Sequence, residues 1–74
     1  MVRYKNLSGD SGVIAYELLN DGIKVQFIEG TTYLYTSKSA GEQNIETMKR
    51  LALSGRGLRA FISRTVRYRY AAKF

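Results

Sequence analysis

The sequence contains no cysteine, histidine, proline or tryptophan. Without cysteine there are no disulfides and no thiolate chemistry, so the fold must hold by packing alone. Without histidine the usual general base near neutral pH is missing, and the loss of both residues removes the usual transition-metal ligands. No apolar run approaches the ~18 residues of a membrane span. The opening Met1-Val2-Arg3-Tyr4-Lys5 leads into Asn6 and Leu7 rather than an apolar stretch, so no signal peptide is expected and the cytoplasm is the expected compartment.

Acidic residues are also missing from the last third. Residues 1–48 carry four basic and six acidic side chains, whereas residues 49–74 carry eight basic ones and no acid. The net charge of +6 therefore comes from Lys49, Arg50, Arg56, Arg59, Arg64, Arg67, Arg69 and Lys73. A clustered positive field attracts polyanions where a scattered one does not. The six carboxylates are spread along the chain. Glu42 and Glu46, four apart, imitate a catalytic pair, but near a helix start they serve the macrodipole. No catalytic residue, metal or cofactor is expected.

What is present fits one small domain. A chain of 74 residues buries about 60% of its unfolded surface, with an expected stability of roughly 4–11 kcal/mol. A deep substrate cavity would remove apolar packing that so small a core needs.

The fold expected is α+β: a three-stranded antiparallel meander followed by two helices packed on one sheet face. Residues 1–10 form an arm or edge strand and a loop, and residues 11–74 the domain. Ser8-Gly9-Asp10-Ser11-Gly12 has loop composition. Strands are expected at 13–19, 23–28 and 32–36, the first two joined by a type I′ turn at Asn20-Asp21-Gly22. From Ser39 the apolar period changes from two to 3.6. Ser39 and Glu42 fit a capping box for a helix over 40–54, with Gly55 as its C-terminal cap. Leu58, Phe61, Ile62 and Val66 define a second helix over 58–67, and the remainder either continues it or extends. Val25, Phe27, Ile45, Met48, Phe61 and Ile62 are the expected shared core.

Three stretches bear on binding. Gly55-Arg56-Gly57 either exposes backbone amides to a phosphate or simply breaks the helix. Tyr33-x-Tyr35 puts two rings on one strand face, as core or as a stacking platform for unpaired bases. Arg64-Thr65-Val66-Arg67-Tyr68-Arg69-Tyr70 interleaves cations and rings, suited to phosphate pairing and base stacking or to a solvated helix end. The helical spacing also permits a helix-turn-helix, although strands precede it where a three-helix core is usual.

The strand pair, Tyr33-Leu34-Tyr35, the helix after it, and the glycine turn leading to Phe61-Ile62 and Tyr68 resemble the KTSC domain over residues 11–70. That family is named for a carboxy-terminal extension of some lysyl-tRNA synthetases and occurs as free-standing bacterial proteins. The resemblance implies a small domain without an assigned activity, for which RNA binding has been suggested.

The expectation is a non-enzymatic module binding RNA or other single-stranded nucleic acid. Its contacts are expected at Arg56, Arg59, Arg64, Arg67, Tyr68, Arg69 and Lys73, with Tyr33 and Tyr35 as the stacking rings. The alternative is an interaction module that docks on an acidic protein. A continuous patch of the eight late cations on the folded surface is expected to favour nucleic acid, whereas their dispersal favours neither reading.

Overall fold

Residues Val13–Leu19, rich in β-branched and aromatic side chains, form a seven-residue strand, the longest in the sheet. The structure, a computed structural model, describes residues 1–7, 9 and 12–74. Of the expected loop, Ser8, Asp10 and Ser11 lie outside the described residues. The chain is α+β with a five-stranded antiparallel sheet. Its strands are β1 (Val2–Arg3), β2 (Val13–Leu19), β3 (Gly22–Phe27), β4 (Thr32–Thr36) and β5 (Ala72–Lys73), in spatial order β1-β2-β3-β4-β5. The expected meander is its centre. Two strands of two residues each extend it, one pairing β1 with β2 and the other β5 with β4. Both are too short to show a period. The carboxy-terminal tail therefore returns to the sheet instead of continuing a helix.

Register sets the buried face. Tyr16, Val25 and Tyr33 stand opposite one another across β2, β3 and β4, as do Leu18, Ile23 and Tyr35. Tyr16, Val25, Ile23 and Tyr35 are buried, while Leu18 stays exposed at the edge. Glu17, Lys24 and Leu34 align on the opposite face and are half-buried. The β2–β3 hairpin differs from the expected type I′ turn. Leu19 pairs with Gly22, leaving Asn20 and Asp21 as the loop, and neither takes a positive φ. Gly22 belongs to the strand, and its role is close approach to β4 rather than an unusual φ.

A reciprocal cap opens the helical part, one turn earlier than expected. Thr36 Oγ1 accepts the Ser39 amide at 3.1 Å, and Ser39 Oγ accepts the Thr36 amide at 3.0 Å. Ser39 is thus the inner partner of the box, not its N-cap, because the hydroxyl of Thr36 already sits where the strand ends. The result is a short helix α1 (Ser37–Ala40). Gly41, at φ 96°, separates it from α2 (Glu42–Ser54). Ile45, Met48 and Ala52 are buried along α2, which packs on β3 and β4. Gly55 ends α2 in the left-handed region, as expected of a C-terminal cap.

The last helix is α3 (Leu58–Phe61), which passes directly into a π-helical turn over Ile62–Val66. The wider turn closes with Arg67 N–H donating to the Ile62 carbonyl at 2.7 Å. Leu58, Ile62 and Val66, four apart, make the buried stripe. Phe61 lies at its margin and is only half-buried, so it is not part of the inner core with Val25, Phe27, Ile45, Met48 and Ile62. Tyr4 also joins the core, at 3% exposure, and its hydroxyl accepts the Leu58 amide at 3.3 Å. The N-terminal arm is therefore anchored in the core and caps the start of α3. No helix among the described residues is long and apolar enough to cross a membrane.

Candidate nucleic-acid interface

The glycine turn after α2 does not present a free set of amides. Gly55 N–H donates to the Leu51 carbonyl at 3.0 Å, Arg56 N–H reaches Ser54 Oγ at 3.4 Å, and Leu58 N–H is taken by Tyr4. This turn is a helix break. Nor does the helical spacing form a helix-turn-helix. The second helical element is one α-turn and one π-turn whose apolar side faces the core of a sheet protein.

Three of the eight late cations line one groove and five do not. Lys49 lies over the β2–β3 hairpin, its Nζ donating to the Asn20 carbonyl at 3.2 Å. Arg50 and Arg56 are exposed on α2 and in the turn after it, and Arg64 and Arg69 are exposed in and after the π-turn. Arg59, Arg67 and Lys73 converge on one open groove of about 410 Å³. For Arg59 and Arg67 the convergence follows from local geometry. Arg59, Ser63 and Arg67 recur every four residues beside the buried Leu58–Ile62–Val66 stripe, so all three line the same wall. The Arg59 guanidinium hydrogen-bonds Ser63 Oγ and lies 5.5 Å from the Phe27 ring centroid. Lys73 is brought in by β5, opposite Tyr33, with its ammonium 5.9 Å from that ring.

Rings line the rest of the groove. Phe27 meets Tyr33 edge-on at 5.3 Å, Tyr33 meets Tyr70 at 4.8 Å, and Tyr35 meets Tyr70 edge-on at 6.4 Å. Tyr33 and Tyr70 are half-buried, whereas Tyr68 is 75% exposed at the rim with the Arg67 guanidinium 5.1 Å over its ring. Of the expected contacts, Arg59, Arg67, Tyr68 and Lys73 meet here with Tyr33, and Arg56, Arg64 and Arg69 do not line the groove. Tyr35 is corrected from stacking ring to core. It is 1% exposed, so it can only form the floor. Phe27 is the aromatic member that sequence reasoning missed, and Tyr70, named only within the interleaved stretch, joins it. Phe27 passed for plain core, and Tyr70 enters only because the tail folds back onto β4, with Ala71 N–H donating to the Leu34 carbonyl at 2.6 Å.

Tyr35 links the groove to stability. Its hydroxyl donates to the Arg67 carbonyl at 3.3 Å, fixing the end of the π-turn. Burial, reinforced by Tyr33 and Tyr70 and opposed by Arg59, pushes the phenol up to about 12. Because the folded value is raised above the unfolded one, the neutral ring's contribution is complete below about pH 10 and is lost as pH rises through about 12. Denaturant unfolding across that range should show up to about 3 kcal/mol of alkaline destabilisation, and Tyr35→Phe should flatten it. An unchanged slope in Tyr35→Phe would show that another group carries the effect.

A second hollow, about 580 Å³, lies beside β1 and is lined by Arg3 and Lys5. Its only ring is Tyr4, which is buried, so it has charge but no open aromatic face. No group of three metal-ligating side chains occurs among the described residues. Compared with known proteins, the chain matches no family model, no curated protein and no solved structure.

Proposed function

We propose that this chain is a non-enzymatic cytoplasmic module that binds single-stranded nucleic acid, RNA in particular, along the groove between the π-turn and the carboxy-terminal tail. The observation that carries this reading is the meeting of Arg59, Arg67 and Lys73 with the rings of Tyr33, Tyr68 and Tyr70 in one groove. Cations there pair with phosphates, and ring faces stack on unpaired bases. An acidic protein partner would use the charges but leave the rings without a match. The groove volume falls in the ~300–1,000 Å³ range of small-ligand clefts, which suits one or two nucleotides of a single strand and not a duplex. The KTSC likeness points the same way and stands as part of the proposal.

The test is a fluorescence-anisotropy titration of single-stranded RNA at several salt concentrations. Affinity at physiological salt is expected near 10⁻⁴–10⁻⁶ M, falling steeply as salt rises. The Arg67→Ala/Lys73→Ala double variant should flatten the slope of log K against log salt by about 0.7 for each phosphate left without its cation. Arg50→Ala/Arg56→Ala, which removes the same charge outside the groove, should leave the slope nearly unchanged. RNA binding no tighter than heparin of matched charge, with equal slopes for both variants, would return the function to the acidic-protein reading.

A further inference from the structure

The groove contains one feature that works against a phosphate backbone. Glu29 is its only acidic lining residue among those described, in a groove that Arg59, Arg67 and Lys73 also line. The carboxylate is exposed and forms no hydrogen bond or ion pair with another described residue. The backbone that carries it is nevertheless held in place. The β3–β4 loop that carries it is tied by Ile28 N–H to the Gly12 carbonyl at 2.7 Å, Gly30 N–H to the Phe27 carbonyl at 2.9 Å, and Phe27 N–H to the Thr31 carbonyl at 2.9 Å. Gly30, at φ 103°, lets that loop turn, with open space where a Cβ would point. A carboxylate without a partner among the described residues thus borders a cationic, aromatic groove on a loop whose backbone is tied down.

A carboxylate only accepts hydrogen bonds, and with two oxygens it accepts best from two parallel donors. Among the four RNA bases one Watson–Crick edge offers that fork. Guanine presents N1–H and N2–H side by side. Adenine and cytosine each set one amino donor beside a ring-nitrogen acceptor, and uracil flanks one N–H with two carbonyls, so each turns a lone pair toward the carboxylate. We propose that Glu29 reads the Watson–Crick edge of a guanine stacked on the groove's rings, making the groove guanine-selective. This rests on the nucleic-acid reading above, with Tyr33 and Tyr70 holding the base and Arg59, Arg67 and Lys73 the adjoining phosphates.

The experiment compares labelled oligouridine with the same strand carrying one central guanosine, inosine or adenosine. Inosine keeps N1–H and lacks the N2 amino group. Guanosine should raise affinity about fivefold to a hundredfold over uridine, with inosine between them and adenosine giving no gain. Glu29→Gln, at an exposed turn, should melt like the wild type and erase the guanosine preference. Its affinity for plain oligouridine should hold or rise, because a negative charge leaves the groove. Equal affinity for all four strands, or a guanosine preference that survives Glu29→Gln, overturns the inference while leaving nucleic-acid binding intact. If plain oligouridine and the guanosine strand both bind no better than heparin, the underlying reading fails and this one falls with it.

Discussion

Gly22→Ala is expected to lose about 3 kcal/mol or more of folding stability, most of what a domain this size has at the lower end of its expected range. A Cβ at position 22 would sit 2.4 Å from the Tyr35 carbonyl oxygen and 3.3 Å from the Thr36 Cα. Both are backbone atoms of β4, so no side-chain rotation relieves the clash. Relief requires β4 to move away from β3, and that movement carries Tyr35, the largest fully buried side chain, out of its site. It also pulls on the link from Ser37 N–H to the Asp21 carbonyl, 2.8 Å, which ties the hairpin to the start of α1. Urea unfolding followed by circular dichroism reads the loss. Gly30→Ala is the control, since it adds the same methyl in open space and changes only a positive-φ turn, for about 1 kcal/mol. If Gly22→Ala lost no more than Gly30→Ala, the two strands would have to lie farther apart than this structure places them.

Gly22 also shows where sequence reading succeeds for an incomplete reason. Asp21-Gly22 marked the hairpin correctly because glycine and short polar residues cluster where the chain reverses. The same letters cannot distinguish a glycine needed for φ from one needed for proximity, since the crowding atom belongs to Tyr35, thirteen positions away. The central strands and α2 were legible because each runs long enough to show its apolar period. β1 and β5, two residues each, show none, and they become strands only because β2 and β4 offer unpaired edges. The four-residue spacing of Leu58, Ile62 and Val66 marks a buried helical stripe but does not record whether its turns close as α or π.

The candidate site divides the same way. The excess of cations after residue 48 was plain from composition, and Arg59, Arg67 and Tyr68 were within reach of it. Arg59 and Arg67 share a wall by their own helical spacing, but Lys73 joins them only because the tail folds back beside β4, a pairing of segments more than thirty residues apart that no local pattern encodes. The acidic member of the groove could not be found by looking for positive charge. Glu29 reads as an ordinary turn residue until the groove it borders is seen.

Tyr68→Ala is expected to produce the largest loss of affinity among single substitutions on the groove, about 1–3 kcal/mol or roughly fivefold to 150-fold, if its ring stacks on a base. The position suits the test because the ring is 75% exposed, so truncation removes little packing and the fold should survive. Tyr33 and Tyr35 offer no such clarity, since both belong to the packed ring cluster around Tyr70. In the free protein one face of Tyr68 already lies near the Arg67 guanidinium, 5.1 Å from the ring centroid, which leaves the other face for a base. Stacking and charge can then be separated by their salt response. Losing the ring should lower affinity at every salt concentration without changing the slope, because every phosphate keeps its cation. Losing Arg67 should change the slope. The two substitutions together should fall short of additivity, because the guanidinium and the base share one ring. Heparin supplies the contrast, as a polyanion without aromatic faces: its affinity should stay the same in Tyr68→Ala. An equal fall for RNA and heparin would show that Tyr68 acts by positioning Arg67 and not by stacking.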